Sequence, residues 1–272
     1  MGPAPARRLR VSGAFQEELL ALAVEVAREA GALLLERFDG GGERAVASKT
    51  TLTDLVSEAD FASERLIRER LSAARPEDAF LGEESGGEDG SSGLTWVVDP
   101  LDGTVNFLFG IPQWCVSIAA RDERGELVGA IFDPCGDELF CATRDGQALL
   151  NGAPIPSPAR PRGDLATALV ATGFAYDAQV RAAQAEVLAR LIPRVRDIRR
   201  FGTAALDLAW TAAGRYDAFY ERTVKPWDIA AGTLVCERAG LVVRELPERP
   251  GLPWGELVAR PEIAEALLEL VG

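Results

Sequence analysis

Not one of the 272 residues is histidine. That absence excludes Ser–His–Asp triads, phosphohistidine chemistry, His-ligated zinc and His general bases. Catalysis must then draw on carboxylates, hydroxyls, lysine, cysteine or metal-bound water. Lysine is nearly absent too: Lys49 and Lys225 are the two lysines among 29 basic residues. A bias towards arginine accounts for this, although both lysines fall inside segments that carry functional patterns. The four cysteines, Cys115, Cys135, Cys141 and Cys236, form no CxxC pair. They read as reduced thiols of a cytoplasmic protein rather than as a zinc site. No apolar run reaches the roughly 18 residues that span a membrane, so no membrane partner is expected. Residues 1–10 carry three arginines with no apolar stretch behind them. They read as a disordered tail, not a signal peptide.

Positive charge is also short. The formal net charge is −13, which argues against a nucleic-acid partner bound through a basic face. An acidic protein acting on a phosphate must reverse its local field, and bound cations do that. The apolar content of 47% suffices for a large core in one domain or two tightly joined ones.

Apolar spacing predicts a helix over 15–38, stopped by the glycines 40–42, then a polar loop over 48–54. The tetrad Ser57-Glu58-Ala59-Asp60 has capping-box form and opens a second helix that reaches about residue 71. Strands are predicted at 79–81, 95–98, 114–120, 127–132 and 138–142. Residues 86–93 read as a surface turn, and 122–125 and 151–152 as hairpin turns. A Pro-rich segment, 154–161, separates halves at 12–153 and 154–272. In the second half, strands at 168–171, 241–243 and 256–259 alternate with helices at 179–191, 203–213, 228–239 and 261–271. The mixture argues for α+β layers rather than a repeating βαβ barrel.

The strongest chemical signal is Asp99-Pro100-Leu101-Asp102-Gly103-Thr104 at the end of the strand over 95–98. Pro100 presets a turn that can bring both carboxylates to one side. Two such carboxylates repel unless a cation neutralises them, and hard divalent ions favour oxygen clusters. Gly103 allows close backbone approach, and a helix opening at Thr104 would present N–H groups to an anion. An ordinary turn with an Asx cap fits the same residues. Leu101-Asp102-Gly103-Thr104 also resembles part of the haloacid-dehalogenase motif, but Pro100 stands where that family has its nucleophilic Asp. Two further segments add acids: Gly82-Glu83-Glu84 after a strand, and Trp227-Asp228-Ile229-Ala230-Ala231-Gly232 at a helix start. Alone, Asp228 fits a simple N-cap.

Together these three segments resemble the inositol monophosphatase family, within the superfamily of Mg²⁺-dependent, Li⁺-sensitive phosphatases. Lys49, the stretch Asp54-Leu55-Val56-Ser57, Asp60, the stretch Gly202-Thr203-Ala204-Ala205, and Tyr220-Glu221 extend the match, which covers roughly 15–240. The resemblance implies a layered αβαβα sandwich with its site where the halves meet. It implies two or three Mg²⁺ ions. Glu83, Asp99 and the Leu101 carbonyl would hold the first, and Asp99, Asp102 and Asp228 the second. A third would touch Glu83 through one oxygen. Four carboxylates against three Mg²⁺ leave a net positive site that suits a phosphate dianion. Thr104, bonded to an Asp60 kept ionised by its helix dipole, would orient and deprotonate the attacking water. The N–H groups of Gly103 and Thr104 would bind phosphate. Asp102, Gly202, Thr203, Ala204 and Glu221 would face the alcohol, and Lys49 would lie on a loop closing over the site. The implied reaction is hydrolysis of inositol monophosphate, a small phosphorylated polyol, by direct water attack, in a cytoplasmic homodimer. Fructose-1,6-bisphosphate, histidinol phosphate and 3′-phosphoadenosine 5′-phosphate are sibling substrates, and a regulatory protein that kept the fold is the alternative of another class. Val105, residues 241–250 and the last strand and helix depart from the family pattern and bear on substrate rather than chemistry.

Overall fold

The computed structural model describes residues 12–40, 46–48, 55–155 and 163–272. Lys49, Asp54, the first eleven residues and most of the Pro-rich segment lie outside them. Helix α1 (Gly13–Asp39) is capped by the Ser12 hydroxyl, which accepts from the Phe15 N–H. A short antiparallel pair follows, β1 (Val46–Ser48) and β2 (Leu55–Ser57). Helix α2 (Glu58–Ala74) then starts from the expected capping box. Ser57 is the N-cap, and Asp60 reaches back to its N–H.

Next come β3 (Ala79–Gly82), β4 (Gly86–Glu88), β5 (Thr95–Asp102), the one-turn helix α3 (Thr104–Leu108), β6 (Cys115–Asp122), β7 (Gly125–Asp133), β8 (Glu138–Thr143), β9 (Leu149–Leu150) and β10 (Ala153–Pro154). The strands form one eight-stranded sheet in the order β10-β9-β8-β7-β6-β5-β3-β4. All neighbours are antiparallel except β3 and β5. The β9–β10 turn is Asn151-Gly152 with φ of 50° and 78°, the doubly positive pair that two-residue hairpins require.

The second half contributes β11 (Leu169–Thr172), α4 (Ala178–Leu191), β12 (Asp197–Arg199), α5 (Ala204–Ala212), β13 (Ala218–Arg222), α6 (Pro226–Arg238), β14 (Val242–Leu246), β15 (Gly255–Ala259) and α7 (Pro261–Val271). Its five-stranded sheet runs β12-β11-β13-β15-β14, with β11 parallel to both neighbours and the rest antiparallel.

Side-chain alternation stacks these pieces. On β5, Trp96 and Val98 point into a core shared with α1 and α2. Val97 points the other way, into a core shared with α5, α6 and the second sheet. A third core lies between that sheet and α4 and α7. The result is α1/α2, sheet, α5/α6, sheet, α4/α7, the layered α+β sandwich expected from the resemblance. Because the middle core draws on both sheets, loops from both meet at its edge.

Four local features differ from the sequence reading. The segment Asp99–Asp102 is not a free turn: β5 continues through it with a register shift against β6. Pro100 has no N–H to give a ladder, so the strand bulges there. The expected turn at 86–93 begins with β4, paired to β3. Strands β12 and β13 were not predicted. The latter is central and largely buried, so it lacks the alternation that marks a half-exposed strand.

Candidate active site

The bulge in β5 falls between Asp99 and Asp102, so the two carboxylates leave the regular ladder within three residues of each other. Asp99 is 2% exposed, and its Oδ1 accepts from the Leu101 N–H at 3.1 Å. At the end of β3, Glu83 hangs its backbone on the sheet through its N–H to the Val98 carbonyl, 3.2 Å. Its carboxyl is in hydrogen-bond contact with that of Asp99. Two carboxyls so close share a proton unless a cation sits with them.

Asp102 reaches across to the second half. Its Oδ2 accepts from the Thr203 hydroxyl at 2.6 Å and the Ala205 N–H at 2.7 Å, so a carboxylate of one half holds the start of α5 in the other. Asn106 makes a parallel tie: its amide donates to the Gln113 and Phe201 carbonyls, both at 2.7 Å. Between Asp102 and α3, Gly103 has φ of +97°, and an added Cβ would lie 2.9 Å from the Gln113 carbonyl oxygen. Only glycine fits that tight bend without strain.

Asp228 is the third residue of α6. The N-cap is Lys225, not Asp228 as a simple capping reading would have it; Asp228 Oδ2 reaches back to accept from the Lys225 N–H at 2.6 Å. The same carboxyl also feels Asp102 and Glu83. Glu221, on β13, lies against Gly173 and faces the same cluster.

The electrostatics follow from burial. Desolvation, then the neighbouring charges, push Asp99 well above the usual carboxylate range, and Asp228 likewise. Asp102 is pushed up to about 6 by burial, against the pull of the Thr203 hydroxyl and the Ala205 N–H. Burial raises Glu221 to about 8, with the Arg200 guanidinium opposing. Such a group of strained acids marks a functional site more often than a structural one.

Thr104 opens α3 and donates its hydroxyl to Asp60 Oδ1 at 2.8 Å, with the Leu101 carbonyl 3.1 Å away. The other Asp60 oxygen accepts from the Ser57 N–H and hydroxyl at 2.9 and 2.5 Å. Burial raises the pKa of Asp60, and the hydrogen bonds from Ser57 and Thr104 offset only part of this.

Among the described residues, no three acidic, cysteine or histidine side chains surround one ion-sized point. The fit to a metal rests on the chemistry of the donors. The carboxyls of Glu83, Asp99, Asp102 and Asp228, which feel one another's charge, and the Leu101 carbonyl are all oxygen donors. Mg²⁺ keeps several waters in its octahedral shell, so it suits such an open set.

Asp60, Glu83, Asp99, Asp102, Thr104, Glu221 and Asp228 thus lie in one connected group of hydrogen bonds and charges. The pattern that defines the inositol monophosphatase family matches residues 16–271. The chain belongs to that family. The match runs past residue 240, further than the sequence reading carried it. An inositol-1-monophosphatase of Mycobacterium leprae is 42% identical over 93% of this chain and 92% of its own. The Nus factor SuhB of Escherichia coli is 38% identical over 92% and 94%. The crystal structure of the extragenic suppressor protein suhB of Bartonella henselae superposes with a TM-score of 0.85 at 36% identity, covering 93% of this chain and 98% of that one. Membership places the chain in a metal-dependent phosphatase family acting on small phosphorylated substrates. No helix among the described residues is long and apolar enough to cross a membrane.

Sequence reasoning passed over several residues at this site. Asn106, two residues past Thr104, was given no role. Arg200, whose Nη1 lies against Gly202, was not singled out. Neither was Glu64, although it stands four residues after Asp60 on the same helix, a spacing that puts both on one face. The four cysteines are free thiols, as expected. Cys115 lies closest to the cluster, 3.9 Å from Asp102, and burial raises its pKa well above the usual thiol value.

Proposed function

We propose that the chain is a Mg²⁺-dependent phosphomonoesterase that hydrolyses inositol monophosphate, such as myo-inositol 1-phosphate, to inositol and phosphate. The observation that carries this reading is the Thr104–Asp60 hydrogen bond set beside the buried acids Asp99, Asp102 and Asp228, with Glu83 against Asp99. Glu83, Asp99, Asp102, Asp228 and the Leu101 carbonyl would hold two or three Mg²⁺ ions. Bound there, Mg²⁺ supplies a water of lowered pKa and neutralises charge on the phosphate and the leaving oxygen.

The chain's own groups do the rest. Thr104 Oγ1 would accept the proton of the attacking water while passing its own to Asp60 Oδ1, to which it already donates. The raised pKa of Asp60 favours that acceptance, and the Ser57 hydroxyl and N–H keep its other oxygen fixed. The N–H groups of Gly103 and Thr104 would orient the phosphate. Asp102, Gly202, Thr203, Ala204 and Glu221 would face the alcohol, a carboxylate being suited to adjacent hydroxyls. Lys49 would close over the site from its loop. A cytoplasmic homodimer, built from halves at 12–153 and 154–272, completes the reading.

The test is phosphate release from myo-inositol 1-phosphate, fructose-1,6-bisphosphate, histidinol phosphate and 3′-phosphoadenosine 5′-phosphate, each with Mg²⁺ and with EDTA. Mg²⁺-dependent release, fastest from the inositol ester and inhibited by Ca²⁺ and Li⁺, is expected. Activity undiminished in EDTA would refute the metal chemistry. A second reading, a regulatory protein on the same fold, is favoured by the name Nus factor carried by the E. coli relative. It gains if no ester is hydrolysed.

A further inference from the structure

Helix α2 grips the acidic loops at three points on one face. Asp60 holds Thr104. The Ser63 hydroxyl donates to the Pro100 carbonyl at 2.8 Å, inside the bulge that presents Asp99. Glu64, one turn beyond Asp60, is 4% exposed. Its two oxygens accept from the backbone N–H groups of Glu84 and Ser85, each at 2.8 Å.

With the Glu83 N–H bonded to Val98, three consecutive N–H groups are pinned, one by the sheet and two by Glu64. The backbone on the C-terminal side of Glu83 is fixed by one buried side chain. The fit is tight: a Cβ at Gly82 would lie 2.4 Å from Glu64 Oε2 and 2.7 Å from the Phe80 ring. A buried carboxylate here adds negative charge beside an already acidic cluster, and burying charge is costly unless it is well bonded. A neutral side chain could close the loop at less electrostatic expense. Both oxygens must accept, however, and an ionised carboxylate is the side chain that offers two acceptors side by side.

We propose that Glu64 is a positioning residue that fixes the loop presenting Glu83, and so sets the protein's affinity for the divalent ion. This rests on the reading that Glu83 binds metal. Partners that orient a ligand from behind are worth about 10- to 100-fold in metal affinity.

The experiment uses the full chain and reads the rise of Tm with added Mg²⁺, supported by calorimetric Mg²⁺ titration. Glu64→Gln keeps the volume but sets an N–H against an N–H at one of the two contacts. It should move the Mg²⁺ midpoint at least about tenfold higher, and the Glu84 and Ser85 amides should exchange faster in the metal-free protein. Gly82→Ala is the second variant, displacing Glu64 without removing its charge, and should shift the midpoint in the same direction. It also serves if Glu64→Gln does not fold. Glu69→Gln, on the exposed face of the same helix, should behave as wild type. A lowered metal-free Tm with an unchanged midpoint in both variants would overturn the inference, leaving Glu64 a purely structural residue. A wild-type protein that neither gains Tm nor binds Mg²⁺ would instead overturn the metal reading beneath it.

Discussion

Replacing Asp102 by Asn should stabilise the protein without metal and weaken it with metal. Asn is isosteric, and its carbonyl can take the place of Oδ2, keeping the bonds from Thr203 and Ala205. What is lost is a negative charge held in a dry, acidic corner. Burial raises the folded pKa from 3.8 to about 6. The folded state therefore binds this proton more tightly than the unfolded chain. Stability from this group is lost as pH rises from about 4 through 6 and stays lost above that. A shift of this size corresponds to at most about 3 kcal/mol. Residual contact with water and the weaker bonds of a neutral acceptor reduce it, so about 1–2 kcal/mol is expected near pH 7.5, with almost none near pH 4. For a chain of this length that is about 2–8 °C in Tm. In saturating Mg²⁺ the order should reverse, since binding at 100 times Kd adds about 2.7 kcal/mol to the wild type. The assay is thermal unfolding of both proteins from pH 4 to 8, in EDTA and in Mg²⁺. An Asp102→Asn protein no more stable than wild type in EDTA at the higher pH would refute the picture of a site strained by its own charge.

Thr104→Ala and Asp60→Asn should each lower kcat by about 10²–10⁴. The double variant should lose little more than the worse single one, because the pair acts as one relay; multiplicative losses in a kinetic cycle would show independent roles. Asp99→Asn should be the most damaging change among the acids, because Asp99 is assigned to both main ions. Asp228→Asn should raise the Mg²⁺ concentration needed for half activity, and an unchanged Mg²⁺ dependence would leave Asp228 as the cap of α6. Lys49→Ala should keep the fold and lower turnover, with wild-type kinetics at every Mg²⁺ concentration speaking against a closing loop.

Much of this site was legible because its chemistry is local in sequence. The capping box at Ser57–Asp60, the acids after β3 and at the end of β5, and the acid at the start of α6 all sit at element ends that the sequence marks by cap, glycine or proline. What was not legible depends on partners distant in the chain. Asp99 and Asp102 looked like a turn, and the ladder with β6 is what keeps them in a bulged strand. Strand β13 hid because burial on both faces erases its period. The helix start at Asp60 was visible, but the burial that raises its pKa was not, since that burial is set by the packing of α2 against the sheet. Glu64 had a visible spacing but no visible target, since the N–H groups it holds lie twenty and twenty-one residues away.

The ties from Asp102 to Thr203 and Ala205, and from Asn106 to Phe201, bear on how such a protein can be recombined. A chimera joined between residues 155 and 163 would exchange the 202–205 turn and β13 while keeping Glu83, Asp99 and Asp102. It would also exchange one partner in every one of those hydrogen bonds, and most of the core between the sheets. Grafting a new specificity therefore demands that donor and recipient agree on the 202–205 turn and on the inward face of α6. Where they disagree, the graft meets a mismatched core before it meets a substrate.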